Sequence, residues 1–315
     1  MTIMRAEKTG SISAERQNLY IEAATSDNTR RAYRSDIRHF KAWGGILPAN
    51  TQIIIEYLHD YASSLNPRTL HRRLVAIRNW HIYLGHFDPT SDPLVKKTIA
   101  GIQNVHGRPK NKAPGLTLEN LKKIVLYLGA QNTTRACRDN ALLQVGFFGA
   151  FRRSELVSIL YENIKMVEKG IEIILPKSKA DQAREGTICA LPYGDDILCP
   201  VKALKKWLNK SEIRNGYIFP RSWHITKPKG HIDVFTVNKA LKTHGKACNI
   251  LYAESFSGHS LRRGLATVAS QNGATIASIM RQGRWNHHAT VLEYIEEGER
   301  FAENAVNTIL FKNKM

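Results

Sequence analysis

The chain has 315 residues, of which 43% are hydrophobic, and a formal net charge of +19 at neutral pH. This length and apolar content exclude a disordered or fibrous protein and predict a globular chain of two domains. So positive a charge favours a polyanionic partner, with nucleic acid ahead of a membrane surface.

The cysteines and the amino terminus exclude several further classes. The four cysteines show no C-x-x-C spacing, which argues against a zinc knuckle or a disulfide framework and predicts ordinary thiols. The opening residues, MTIMRAEKTGSIS, lack an apolar signal core, and no run approaches the ~20 apolar residues that span a bilayer. We therefore expect a cytoplasmic, nucleoid-associated protein with no membrane partner.

The first part of the chain predicts a helical domain over residues 26–104, after a polar lead-in over residues 1–25. Apolar residues at helical spacing, with Asp27 or Asn28 as the first cap and Gly44 as the first stop, predict four helices. These helices cover about residues 27–44, 51–61, 67–85 and 92–102. The arginines predicted on their outer faces are Arg30, Arg31, Arg34, Arg38, Arg68, Arg72, Arg73 and Arg78. A solvated surface explains any one of them, but the set is almost unbalanced by acid, so we expect contacts with DNA phosphates.

A basic linker is predicted over residues 105–114, because Gly107, Pro109 and Pro114 interrupt the helical pattern. Its cations are Arg108, Lys110 and Lys112, which we also expect to bind DNA. The second domain then covers residues 115–315.

The second domain is predicted to be mainly helical with a small β-sheet, so the fold class is α+β. Helices are expected over about residues 117–128, 135–149, 200–208 and 236–246, and alternating apolar residues predict strands at 171–175 and 187–191. Between the strands lies a polar turn, PKSKADQAREG, which carries Lys177 and Lys179. Arg152 and Glu155 stand at the start of a new helical turn.

The stretch from Ser257 onward predicts three helices that bring polar side chains together. Ser257 caps a helix on which His259 and Arg262, three residues apart, share one face. A short helix over about residues 275–282 closes at Gly283. Trp285 follows, and Tyr294 comes nine residues later inside an amphipathic helix. Together these groups can converge on one anion, which we interpret as a DNA phosphate.

In this order and spacing the motifs resemble the tyrosine recombinase (phage integrase) family. They are GAFRRSEL at residues 149–156, HSLR at 259–262, and Trp285 nine residues before Tyr294. The resemblance covers about residues 114–310 and implies a catalytic domain, while the first domain more loosely resembles the family's core-binding domain. It favours Lys179 as the hairpin lysine, with Lys177 as the alternative. The R-x-x-E-L pattern selects Arg152 over Arg153, which we expect to be a surface arginine.

Transesterification at a phosphodiester explains why these residue types occur together. The transition state carries negative charge on the non-bridging oxygens, and the guanidiniums of Arg152 and Arg262 can donate paired hydrogen bonds to them. A phenol with a pKa of about 10 needs activation, so Tyr294 is the predicted nucleophile and His259 its proton acceptor and later donor.

The remaining roles complete the predicted site. Lys179 protonates the leaving deoxyribose oxygen, Trp285 holds the phosphate through its indole N–H, and Glu155 orients the cluster. A phosphotyrosine conserves bond energy, so we expect no cofactor, metal ion or ATP. His287 and His288 have no carboxylate or cysteine at ligand spacing, and we interpret them as solvent-facing residues at a helix start.

The resemblance implies a site-specific recombinase that acts through a 3′-phosphotyrosyl intermediate and a Holliday junction. Its expected partners are double-stranded DNA with paired half-sites and further copies of itself, as a dimer and then a synaptic tetramer. Whether an accessory DNA-bending or directionality factor takes part stays open. The alternatives are a type IB topoisomerase-like relaxase and a non-catalytic DNA-binding regulator.

We make one prediction for each end of the chain. With only about 25 residues before the first helix, we expect no separate arm-binding domain. The apolar residues of the tail are Phe301, Ala305, Val306, Ile309 and Leu310. The resemblance favours docking of this tail onto a neighbouring protomer.

Overall fold

The structure is a computed structural model that describes residues 25–109, 112–176, 186–195, 197–222 and 230–299, together with Val306 and Ile309. The chain divides into two compact units, Met1–Asn111 and Lys112–Met315. Within the described ranges, no helix is long and apolar enough to cross a membrane.

The described part of the first unit is a bundle of four α-helices, as the apolar spacing predicts. They are α1 (Asp27–Trp43), α2 (Thr51–Tyr61), α3 (Pro67–Tyr83) and α4 (Pro93–His106). The hydroxyl of Ser26 caps α1 by accepting a hydrogen bond from the Thr29 amide at 3.2 Å, so the predicted cap at Asp27 or Asn28 is wrong by one or two residues. Gly44, with φ at 111°, ends this helix as predicted.

The core of the first unit lies where the helices face one another. Phe40, Ile54, Tyr57 and Leu70 are completely buried in it. Burial of each such side chain contributes roughly 1.5–3 kcal/mol relative to exposure, so packing of the apolar stripes holds the bundle together.

The second unit is mixed α and β. In chain order it contains α5 (Leu118–Ala130), α6 (Thr134–Phe148), α7 (Arg153–Val157), β1 (Ile164–Val167), β2 (Gly170–Leu175), β3 (Thr187–Pro192), α8 (Pro200–Ser211), α9 (Phe235–Ala247), α10 (Gly258–Gln271), α11 (Ile276–Gly283) and α12 (His288–Glu299). The fold class predicted from the sequence is confirmed, and α6 is buried as its apolar composition predicts.

The sheet has three antiparallel strands in the order β1-β2-β3, one more than the sequence predicts. Ile173 of β2 pairs with Cys189 of β3, and Ile164 of β1 pairs with Ile173 from the other side. The missed strand, β1, has both central residues exposed. It therefore lacks the alternation of buried and exposed residues that identifies a strand in a sequence.

The position of α10 is fixed by a close approach of two backbones. A Cβ at Gly264 would lie 2.2 Å from the carbonyl oxygen of Leu116, so only glycine permits this packing. The Leu116 amide also donates to the Ser260 carbonyl at 2.9 Å. These contacts hold α10, and with it Arg262, against the segment that leads into α5.

A second, smaller apolar cluster lies beside the main core of this unit. Its buried members are Ala150, Ala266, Ile279, Trp285, Val291 and Ile295, with Tyr294 packed against it. They come from α10, α11 and α12, from the segment between α11 and α12, and from the turn before α7. The cluster therefore joins the elements that carry the predicted site.

Candidate active site

The turn between α6 and α7 presents Arg152. Ala150 adopts a left-handed conformation with φ at 45°, and Arg152 stands at the amino-terminal boundary of α7. Glu155, buried three residues later, accepts hydrogen bonds from the Arg152 amide at 3.0 Å and from Arg152 Nη1 at 2.6 Å. Burial of Glu155 opposes its ionisation, but the hydrogen bonds from Arg152 outweigh this effect and lower the pKa of the carboxyl group. Glu155 therefore holds Arg152 as a carboxylate.

Arg262 reaches the same turn from α10. Its Nη1 donates to the Ala150 carbonyl at 2.5 Å, and its guanidinium lies 4.1 Å from the centre of the Trp285 ring. Burial and the neighbouring charge of Arg152 lower the pKa of Arg262 to about 9, so the guanidinium still carries its proton at neutral pH. Its Nη2 is buried without a hydrogen-bond partner among the described residues. Among the described residues, this donor therefore has no protein acceptor and is available to a bound group.

Trp285 is a buried member of the small apolar cluster, and Tyr294 packs beside it. Their ring centres are 6.1 Å apart at an interplanar angle of 66°. The Thr267 hydroxyl donates to the Tyr294 carbonyl at 2.9 Å, and the guanidinium of Arg263 lies 5.0 Å from the centre of the tyrosine ring. The structure therefore brings Tyr294 next to the Arg262–Trp285 stack.

His259 lies at the exposed start of α10, one turn before Arg262. The Ser257 hydroxyl caps this helix, as predicted, by accepting from the His259 amide at 3.2 Å. Desolvation of the imidazole lowers its pKa, and the charges of Arg153 and Arg262 lower it further. The ring is therefore neutral at neutral pH and is able to accept a proton.

Arg153 is not the simple surface arginine that the sequence predicts. Its side chain lies so close to Gly258 that a Cβ there would be 2.0 Å from Arg153 Cγ, and its guanidinium lies 5.5 Å from the centre of the Phe235 ring. Because Gly258 precedes His259 in the chain, this packing brings the charge of Arg153 to the histidine.

Arg284 is a member of the site that the sequence analysis misses. It is 7% exposed and adopts a left-handed conformation with φ at 55°, where the sequence predicts Gly283 to close the helix. Its Nη2 donates to the Gly149 carbonyl at 3.0 Å and lies 3.5 Å from Glu155 Oε2. The sequence does show a basic residue between Gly283 and Trp285, but the direction of its side chain into the site depends on tertiary structure.

The predicted hairpin lysine, Lys179, and its alternative, Lys177, lie outside the described residues. The strands that flank them are described, and Leu175 pairs with Thr187 at the turn end of the hairpin. Gln282 connects the second of these strands to α11 by donating to the Ala190 carbonyl at 3.1 Å.

The arginines predicted on the surface of the first unit differ in their surroundings. Four are exposed and have no acidic group within ion-pair distance among the described residues; they are Arg31, Arg34, Arg38 and Arg68. Arg30 pairs with Asp27, and Arg78 lies 3.5 Å from Asp88.

Arg72 and Arg73 share the buried carboxylate of Asp36. Arg72 donates to it through Nε at 2.9 Å and Nη2 at 2.7 Å, with its side chain 51% exposed. The predicted outward direction of Arg73 is wrong, because this residue is buried and its Nη1 donates to the Tyr57 hydroxyl at 3.0 Å. Arg73 follows Leu70 by three residues and therefore shares the inward face of α3.

The basic linker is described in part. Arg108 is exposed, and Lys110 lies outside the described residues. Lys112 forms an ion pair with Glu293, the residue before Tyr294.

The two histidines after Trp285 are solvent-facing residues at a helix start, as the sequence predicts. His287 and His288 are exposed, and α12 begins at His288. In the part of the chain that the structure describes, no group of three or more His, Cys, Asp or Glu side chains is arranged to hold a metal ion.

Comparison with known proteins gives matches to both units. Residues 115–300 match the profile of the "Phage integrase family", and residues 16–86 match the "Phage integrase, N-terminal SAM-like domain". An "Integrase/recombinase xerD homolog" of Selenomonas ruminantium is 34% identical over 96% of this chain and 90% of its own length. The "Recombinase cre" of Escherichia phage P1 is 23% identical over 86% of this chain and 84% of its own length.

Two solved structures share the fold. The post-cleavage complex of the XerH site-specific recombinase with a palindromic difH substrate has a TM-score of 0.65 at 14% identity, covering 91% of this chain and 80% of that one. A lambda integrase dimer bound to a COC′ core site has a TM-score of 0.61 at 15% identity, covering 92% of this chain and 77% of that one.

Proposed function

We propose a separate catalytic role for each residue of the candidate active site in this chain, which belongs to the phage integrase family. The chain is a site-specific DNA recombinase of the tyrosine class, and its relatives support this function over the relaxase and regulator alternatives. The observation that carries the proposal is that Arg152 and Arg262 meet at the turn containing Ala150, beside Trp285 and Tyr294.

In the proposed cleavage step, the Tyr294 hydroxyl oxygen attacks the scissile phosphorus and its proton passes to neutral His259. A P–O bond forms to the tyrosine while the bond to the 5′ oxygen breaks, which leaves a 3′-phosphotyrosyl linkage. Lys179 gives the departing 5′ oxygen its proton. Attack by a 5′ hydroxyl of the partner strand reverses these steps and returns the proton from His259 to Tyr294.

The two arginines hold the phosphate during this step. Arg262 is fixed by the Ala150 carbonyl and the face of Trp285, and Arg152 is fixed by Glu155. Because both guanidiniums are in place before DNA binds, little reorganisation is needed as negative charge develops on the non-bridging oxygens. Trp285 contributes its indole N–H as a further donor to the phosphate.

The DNA and protein partners follow from the same assignment. We propose that the first unit is a core-binding domain, that the linker crosses the DNA backbone, and that protomers bind paired half-sites as dimers and synapse as tetramers through a Holliday junction. The lambda integrase and XerH structures are DNA complexes of related fold, which supports this proposal. The site of action would be the nucleoid in the cytoplasm.

The tail supplies a test of assembly. Most of its apolar residues lie outside the described ranges, and the two described ones, Val306 and Ile309, are 50% and 71% exposed. We propose that the tail docks on a neighbouring protomer. A chain that ends at Asn304 should still cleave a single site and should lose synapsis; equal loss of both activities would contradict the docking.

The catalytic proposal is tested with a nicked suicide duplex that carries a site selected by the protein from a randomised library. After incubation in EDTA, the wild type should give a slowly migrating covalent species on a denaturing gel, and Tyr294→Phe should give none. Tyr252→Phe is the matched control, because it makes the same chemical change at a tyrosine that is 78% exposed and has no proposed catalytic role. No adduct from wild-type protein bound to this DNA would contradict the proposed chemistry.

A further inference from the structure

Arg284 connects the two segments that carry Arg152 and Trp285. Its Nη1 donates to the Gln282 carbonyl at 2.8 Å on its own side, and its Nη2 donates to the Gly149 carbonyl at 3.0 Å across the site. The guanidinium also lies 4.7 Å from the centre of the Phe151 ring. The side chain is therefore held in one position beneath the turn that presents Arg152.

The charges around this position do not balance. Glu155 is 6% exposed and contacts two guanidiniums, Arg152 Nη1 at 2.6 Å and Arg284 Nη2 at 3.5 Å. Arg262 reaches the same turn, so three guanidiniums surround one carboxylate among the described residues. Charges that are screened little by water interact strongly, and this cluster keeps an excess of two positive charges.

The excess matches what the reaction requires. The scissile phosphodiester carries one negative charge, and its pentavalent transition state carries about two. A catalytic site lowers the barrier by complementing the charge that develops in the transition state. If Glu155 contacted Arg152 alone, that pair would be neutral and Arg262 would be left as the single uncompensated cation of the cluster. With Arg284 present, Glu155 can orient Arg152 without cancelling its charge.

We propose that Arg284 is a positioning residue for phosphoryl transfer, which offsets the Glu155 carboxylate so that Arg152 and Arg262 both act on the scissile phosphate. The inference rests on the proposed roles of Arg152 and Arg262. Arg284 itself does not touch the DNA in this account.

Two features of Arg284 lower the stability of the folded protein. It is not a glycine, yet its backbone occupies the left-handed region, which is strained for a residue with a side chain. Its Nε is buried without a hydrogen-bond partner among the described residues. Strain and an unsatisfied donor at one residue are typical of a position that is kept for function.

The test separates charge from packing with two substitutions. Arg284→Lys keeps the charge, whereas Arg284→Gln keeps a hydrogen-bond donor and removes the charge. Single-turnover cleavage of the suicide duplex at saturating DNA should fall about 100-fold in Arg284→Gln and tenfold or less in Arg284→Lys. The Kd for DNA should stay within about threefold, since no phosphate contact is lost.

The cleavage rate of a double variant distinguishes an electrostatic role of Arg284 from a packing role. In Arg284→Gln, the Glu155 carboxylate is left to neutralise Arg152, so adding Glu155→Gln should raise the cleavage rate about tenfold over Arg284→Gln alone. Arg281→Gln is the matched control, because Arg281 is exposed on α11 and should retain the wild-type rate.

Equal losses in the Lys and Gln variants, or a double variant slower than Arg284→Gln, would overturn the inference. If Arg284→Gln does not fold, Arg284→Lys decides alone: a loss of about tenfold or less supports the role, and a larger loss overturns it. Absence of an adduct in the wild-type protein would instead contradict the proposed roles of Tyr294, Arg152 and Arg262.

Discussion

The arginines of the two units differ in how many fixed partners each one has. In the first unit, Arg34 and Arg68 are exposed and pair with no acidic group among the described residues. In the second unit, Arg262 and Arg284 are buried, and each one is held by at least one backbone carbonyl and an aromatic ring.

This difference predicts that exposed and buried arginines affect two different quantities, the affinity for DNA and the rate of cleavage. An exposed arginine binds phosphate by displacing counterions, so its effect is modest, sums with that of its neighbours and depends on salt. A buried arginine that is fixed before binding acts on charge that develops in the transition state, and each such residue has a large effect of its own. We therefore expect the first unit to set how tightly DNA binds and the second to set how fast it is cut.

Arg73 breaks the pattern, because it is a buried arginine in the first unit. Replacing it by methionine leaves Asp36 and the Tyr57 hydroxyl with fewer partners, and the unfolding free energy should fall by about 3 kcal/mol. Arg72→Met, at a half-exposed position, should cost about 1 kcal/mol. Urea denaturation, with hydrogen exchange to localise the change to α1 and α3, measures both. Equal losses would show that burial does not distinguish these two arginines.

The pH dependence of cleavage tests whether His259 acts as the proton acceptor in the site. Cleavage needs neutral His259, so the rate should fall as the pH drops through the pKa of this residue. Desolvation and the nearby arginine charges lower that pKa, so the acidic limb should lie below pH 6.5. Arg153→Met removes one of these charges and should move the limb upward, toward 6.5. A limb above 6.5 in the wild type, or no movement in the variant, would contradict the role of His259.

The smallest effect is expected from the exposed arginines. Arg34→Gln and Arg38→Gln should each weaken DNA binding similarly for all sequences and reduce the slope of log K against log salt by about one. Fluorescence anisotropy across a salt series measures this slope. Arg73→Lys is the contrasting variant, since a buried residue should leave the slope unchanged.

The parts of the fold that depend on local sequence could be predicted. Ser257 caps its helix as predicted, because a hydroxyl that accepts a hydrogen bond from a backbone amide two residues ahead acts within one turn. Strand β1 could not be predicted, because its exposed centre lacks a periodic pattern. The inward direction of Arg73 agrees with its helical spacing to Leu70, whereas its positive charge predicts an exposed side chain.

The candidate site divides in the same way. The spacing of His259, Arg262, Trp285 and Tyr294 follows from the sequence, and the structure brings the last three together, with Arg262 over the Trp285 ring and Tyr294 edge to face with it. Arg284 depends on a turn more than a hundred residues away, at Gly149, so no local pattern marks it. The sequence likewise gives no sign that Arg153 packs against Gly258.

The separation of affinity from rate is tested most directly by measuring Kd and the single-turnover cleavage rate at saturating DNA for two variants side by side. Arg262→Lys should bind within about threefold of wild type and cleave about 10²–10³-fold more slowly, since lysine cannot reproduce the guanidinium fork. Arg34→Gln/Arg38→Gln should bind more weakly and, once saturated, cleave at the wild-type rate. Wild-type cleavage by Arg262→Lys, or slow cleavage by the saturated double variant, would contradict the account.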